Sequence, residues 1–95
     1  MKTLKSEQVR SAILAMFKDS LRANGLEPSD VPDGYDLLTQ GIIDSLGMVA
    51  MVSMVEDLAG CEIDFEQLDF EDMTVIEKFC DYVARYTADQ SDASS

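Results

Sequence analysis

From Ser6 to Asn24, the apolar residues Val9, Ile13, Met16, Phe17 and Leu21 recur at the spacing of one helical face, while Glu7, Arg10, Lys18 and Arg22 stay outside it. The pattern predicts a core-facing helix with Ser6 as N-cap and Gly25, after Asn24, as its stop. Between Leu26 and Asp44 the periodicity breaks, and Pro28, Ser29, Asp30, Pro32, Asp33 and Gly34 supply turn chemistry. So long a loop in so small a chain needs anchors or a task of its own, and Tyr35, Leu37 and Leu38 are the expected anchors, in a short helical turn.

A second helix is expected from Ser45 to about Leu58. Ser45 to Met54 carries no charge, which returns only at Glu56 and Asp57. A helix apolar on every side is either fully buried or keeps one face for a partner, and a small bundle has little room to bury it whole. Met51, Val52, Val55 and Leu58 are expected to point inward, leaving Met48, Val49, Ala50 and Met54 as a partner-facing patch. Gly60 ends the helix, and Cys61, Glu62 and Ile63 form an extended link. The acidic stretch from Asp64 to Asp72 reads as a short, weak helix or turn that docks Phe65, Leu68 and Phe70 on the core. Thr74 and Glu77 have the spacing of a capping box ahead of a last helix, whose stripe of Ile76, Phe79, Cys80 and Val83 ends near Tyr86. The expected fold is all-α, a small bundle of three main helices plus one short helix. It occupies residues 6–87, between a flexible N-terminus (1–5) and a small, polar, disordered tail (88–95).

With 95 residues, 46% of them apolar and 27% charged, the chain allows one folded domain. No apolar run approaches the roughly 20 residues that span a bilayer, and the first residues lack a signal-peptide hydrophobic region, so a cytoplasmic location is expected. Cys61 and Cys80 are accordingly read as reduced thiols in or near the core. The absence of histidine removes Cys/His zinc sites and His-assisted nucleophilic catalysis. A calcium loop centred on Gly34 fails as well, because its first, third and twelfth positions would be Ser29, Val31 and Gln40. Paired catalytic carboxylates would need a pocket that a domain this small scarcely offers. The net charge of −12 is unevenly spread: no basic residue lies between Arg22 and Lys78, a stretch holding fourteen acids. Such a surface repels nucleic acid and anionic lipid; it serves solubility, or it attracts a basic protein.

The distinctive chemistry lies in Gly41, Ile42, Ile43, Asp44, Ser45, Leu46 and Gly47, where a loop hands over to the apolar helix. Ser45 can be an N-cap, accepting a hydrogen bond from one of the unpaired N–H groups that open a helix. Asp44 would complement the positive end of the helix dipole. A long helix, a long loop, Asp44-Ser45-Leu46 opening a second helix and a threonine-led last helix (Thr74, Val75, Ile76) together resemble the acyl carrier protein family over nearly the whole chain. The resemblance implies that Ser45 carries 4′-phosphopantetheine, placed there from coenzyme A by a phosphopantetheinyl transferase that Asp44 helps to bind together with magnesium. The arm would hold an acyl or aminoacyl cargo as a thioester. Leu46, Met48, Val49 and Glu56 would dock the partners: the transferase, a loading ligase or acyltransferase, and downstream biosynthetic enzymes. No catalytic residue and no resident metal site are implied, and a mobile carrier that visits several enzymes is expected to be a monomer.

The details depart from carriers of fatty-acid synthesis. Gly41 lies four residues before Ser45 where three are usual there, and Val49 and Ala50 stand in the turn where those carriers place an acid. Gly41 to Gly47 is more similar to D-alanyl carrier proteins and to freestanding carriers served by adenylating ligases. A competing reading is an acidic, Met-rich helical binding module that engages a basic protein and carries no prosthetic group. It accounts for the charge and the methionines, but gives no reason for Asp44, Ser45 and Leu46 at a helix start.

Overall fold

The computed structural model describes residues 3–93, with side chains through residue 89. The chain forms α1 (Ser6–Met16), α2 (Lys18–Ala23), a 3-10 turn (Pro28–Asp30), α3 (Ser45–Ala59), α4 (Phe70–Met73) and α5 (Ile76–Ala93). The described residues form an all-α bundle, in which α1, α3 and α5 share one core.

The expected first helix is divided at Phe17, whose φ of −108° and ψ of 17° depart from helical values. Hydrogen bonds from Phe17 N to Ile13 O (3.1 Å) and from Leu21 N to Phe17 O (3.0 Å) bridge the break, so α2 continues α1 with a local offset. Val9, Ile13 and Leu21, spaced by four and eight, are fully buried; Met16 lies off that stripe and is exposed, contrary to expectation. Ser6 is the first helical residue, not the cap. The carboxamide of Gln8 accepts from Lys5 N at 2.8 Å to close the helix start, while the Ser6 hydroxyl donates to Asp81 on α5 at 3.0 Å. Leu4 is buried and its N–H donates to the buried Thr87 hydroxyl at 3.0 Å, so this part of the expected flexible N-terminus is docked.

Helix α3 buries a single narrow stripe, Met51, Val55 and Ala59, at successive four-residue steps. Val52 is half-buried, and Leu58, expected inside, is 41% exposed. Gly60 ends the helix as expected, with its N–H on Glu56 O at 2.9 Å. Of the three residues expected to dock from the acidic segment, Phe65 stacks on Phe79 (5.4 Å between centroids) and Leu68 is half-buried. Phe70 is 64% exposed on α4, whose single turn cannot bring every apolar side chain to the core.

The long loop is stitched to the start of α5. Leu37 N donates to Thr74 O (2.8 Å), Ile76 N to Tyr35 O and Glu77 N to Asp33 O (both 3.0 Å). Asp33 O thus takes the Glu77 N–H that the Thr74 side chain of the expected capping box would have received, and Tyr35 O takes the neighbouring orphan N–H of Ile76. Thr74 is buried beneath the loop instead, and its hydroxyl bonds Asp36. Arg10 fastens the loop from the other side, donating to Val31 O and pairing with Asp33 at 3.3 Å. Leu37 is the buried anchor, with Tyr35 and Leu38 half-buried beside it. Helix α5 runs past the expected end near Tyr86 to Ala93, into the stretch expected to be a disordered tail. The extension follows from Thr87, fully buried one turn beyond Val83 and donating to Val83 O at 2.9 Å. Residues 1–2 of the expected flexible N-terminus and residues 94–95 of the expected tail lie outside the described residues.

Candidate functional site at the start of helix α3

Two buried isoleucines fix the entry to α3. Ile42 and Ile43 both donate their N–H groups to Leu37 O, at 2.9 and 3.2 Å, and sink their side chains into the core. Gly41, with φ of 78°, makes the turn that delivers them, in a left-handed conformation that a Cβ disfavours. The chain then emerges at Asp44, which is extended and exposed and caps the helix: its carboxylate accepts from Gly47 N at 2.8 Å.

The cap is therefore Asp44 and not Ser45. Ser45 occupies the first helical position, exposed, and its side chain makes no hydrogen bond among the described residues. The hydroxyl stands in solvent two residues from the core anchor Ile43, at the positive end of a fifteen-residue helix. A phosphodiester on Ser45 would find there N–H groups without intrahelical partners and open space, with no protein hydrogen bond to break, so the residues present fit 4′-phosphopantetheine.

Gly47 has a role that sequence reading did not assign to it. A Cβ there would lie 3.0 Å from Ile43 Cβ and 3.4 Å from Ile43 Cγ2, closer than side chains ordinarily pack. Its signal in the sequence is a glycine inside a helix, where the usual cost of about 1 kcal/mol points to a close approach.

Leu46 is 79% exposed and Val49 62% exposed. Val49, the half-buried Met48 and Val52, Ser53 and Glu56 line a shallow apolar groove along α3. The expected patch divides: Ala50 and Met54 line a different groove with Met16, Ser53, Asp57 and Leu58. Glu56 is committed within the chain, since its carboxylate accepts from Ile63 N at 2.8 Å. A polar groove, lined by Phe17, Ser20, Gly41, Ile42, Ile43, Asp44 and Gly47, opens on the loop side of the helix start.

The remaining reactive groups lie elsewhere. Both cysteines are free thiols, and burial pushes Cys80 up to about 12, which keeps it protonated and inert. Arg10, Arg22 and Lys78 are each paired with a carboxylate, at 3.3, 3.3 and 3.1 Å. No helix among the described residues is long and apolar enough to cross a membrane. Compared with protein-family models, curated proteins and solved structures, the chain matches none of them.

Proposed function

We propose that this chain is an acyl or aminoacyl carrier whose Ser45 holds a 4′-phosphopantetheine arm. One observation carries the reading: the serine hydroxyl is exposed and unengaged at the first position of α3, because Asp44 has taken over the capping of that helix. A serine kept only as a cap would be bonded to a helix N–H. Nothing nearby could deprotonate Ser45 as a histidine base does, since the chain has no histidine, and this suits a residue that another enzyme modifies.

The arm would supply a terminal thiol that holds cargo as a thioester. The chain's own residues set where that arm begins and who approaches it. Ile42 and Ile43 hold the attachment point against the core, Asp44 orders the first turn and offers a carboxylate to the transferase, and Leu46 and Val49 present apolar surface beside it. Without an acid from Ser45 through Val55, α3 favours partners that dock by apolar contact. This is the pattern of a freestanding carrier served by a dedicated adenylating ligase or acyltransferase. Tethering then raises the cargo's local concentration at each partner's active site.

Intact mass spectrometry after incubation with coenzyme A, magnesium and a broad-specificity phosphopantetheinyl transferase tests the proposal. A gain of one phosphopantetheine in the wild type and none in Ser45→Ala is expected. No gain, in folded protein verified to be unmodified beforehand, overturns it and leaves a non-carrier acidic module that engages a basic protein.

A further inference from the structure

We propose that the polar groove beside Ser45 is the resting bed of the arm itself, binding its amide-bearing pantetheine portion along the loop that precedes α3. The inference rests on the carrier reading above. Side chains of a helix tilt toward its N-terminus, so a group built on Ser45 leaves toward the loop from Gly41 to Asp44 and not down the helix.

That loop is chemically complementary to an amide chain. Gly41 has no side chain, and those of Ile42 and Ile43 are buried, so these residues meet the groove chiefly through their backbone. Their N–H groups are consumed internally, Gly41 on Leu38 O at 3.0 Å and both isoleucines on Leu37 O. Their three carbonyls accept no hydrogen bond among the described residues. A row of acceptors without donors suits a ligand that brings amide N–H and hydroxyl donors, which pantetheine does. Across the groove, the hydroxyl of the half-buried Ser20 is likewise without a partner among the described residues and can donate to an amide carbonyl. Phe17, turned half outward where α1 gives way to α2, supplies the apolar wall that the arm's dimethyl group needs. Asp44 lines the groove as its one charged residue, so beyond the phosphate on Ser45 the neutral amide stretch of the arm fits it better than an anionic cargo.

The test compares apo and holo protein by NMR, the 95-residue chain being converted with coenzyme A and the broad-specificity transferase. Isotope-filtered contacts from the arm to Phe17, Ser20 and Gly41 are expected, with shifts at the Gly41, Ile42 and Ile43 carbonyl carbons. In Ser20→Trp, whose indole fills the groove, those contacts should vanish and the carbonyl shifts return toward their apo values, while the mass gain persists. A complete mass gain with contacts absent, or directed to Met48 and Val49, overturns the groove assignment and leaves the carrier reading standing. Absence of any mass gain overturns both.

Discussion

Replacing Asp44 and Ser45 separately by alanine divides a capping role from the proposed modification role. Asp44→Ala removes the acceptor 2.8 Å from Gly47 N, a loss of about 0.5–2 kcal/mol, together with about 0.3–1 kcal/mol of favourable charge at the helix N-terminus. Together these give a destabilisation of about 0.8–3 kcal/mol, and with a urea slope of about 1–1.5 kcal/mol/M the unfolding midpoint falls by about 0.5–3 M. Asp44→Asn keeps an acceptor oxygen and loses the charge, so its cost should be about 0.3–1 kcal/mol. Ser45→Ala breaks no hydrogen bond seen in the structure, and alanine is the better helix former, so the stability should stay within about 0.5 kcal/mol of wild type.

Loading follows a different order. Ser45→Ala should accept no phosphopantetheine although it is as stable as wild type, whereas Asp44→Asn should load slowly. Equal destabilisation by Ser45→Ala and Asp44→Ala would refute the reasoning, because it would make the serine a shared cap and its hydroxyl an engaged one.

Gly47→Ala sets a helix-propensity gain of about 1 kcal/mol against an overpacking cost of about 1–3 kcal/mol from a contact 3.0 Å from Ile43 Cβ; net destabilisation in urea is expected. Thr87→Val leaves the buried Leu4 N–H without its acceptor and should cost about 1–3 kcal/mol, read as a lowered melting temperature. Burial raises the pKa of Asp36, but hydrogen bonds from Thr39 N, the Thr74 and Thr39 hydroxyls and Leu38 N outweigh it, so the folded-state value lies below the ordinary one. The resulting stabilisation is present above the unfolded carboxylate's pKa of about 3.9 and disappears as pH falls through the folded value; an acid titration of Asp36→Asn should therefore lose less stability than wild type. Val49→Glu should leave stability within about 0.5 kcal/mol and slow transferase loading about tenfold, equivalent to about 1.4 kcal/mol; an unchanged rate would remove Val49 from the docking face.

Much of the architecture is legible because local periodicity encodes it. The α3 core stripe of Met51 and Val55, the Gly60 stop and the α5 stripe of Phe79, Cys80 and Val83 all lie within single segments. What escaped reading depends on distant partners. No local pattern announces that Tyr35 O will receive Ile76 N, or that Leu4 N will find Thr87, 83 residues away. Thr87 also hid the length of α5, since a polar residue continues the apolar stripe once its hydroxyl is satisfied by Val83 O and Ala84 O. At the candidate site, Asp44 and Ser45 are adjacent and both able to cap, so composition and spacing do not choose between them. Backbone geometry does: the extended Asp44, following two core-anchored isoleucines, aims its carboxylate at Gly47 N.

That choice, together with the single buried stripe of α3, shapes what the surface can do. Leu46 is 79% exposed and gains almost nothing from burial in the isolated chain, and the same holds in lesser degree for Val49. Glutamate at either position would suit solubility and helix start equally well, so intramolecular stability does not account for their apolar character. On the carrier proposal a partner that buries them does, beside a hydroxyl flanked by the buried Ile42 and Ile43 on one side and the helix on the other. Rigidity at the proposed attachment point and apolar surface beside it are complementary requirements for a transferase that must place a reacting phosphate on one oxygen. An acidic binding module without a prosthetic group would need the surface but not the fixed, unengaged hydroxyl, and Ser45 is where the two readings part.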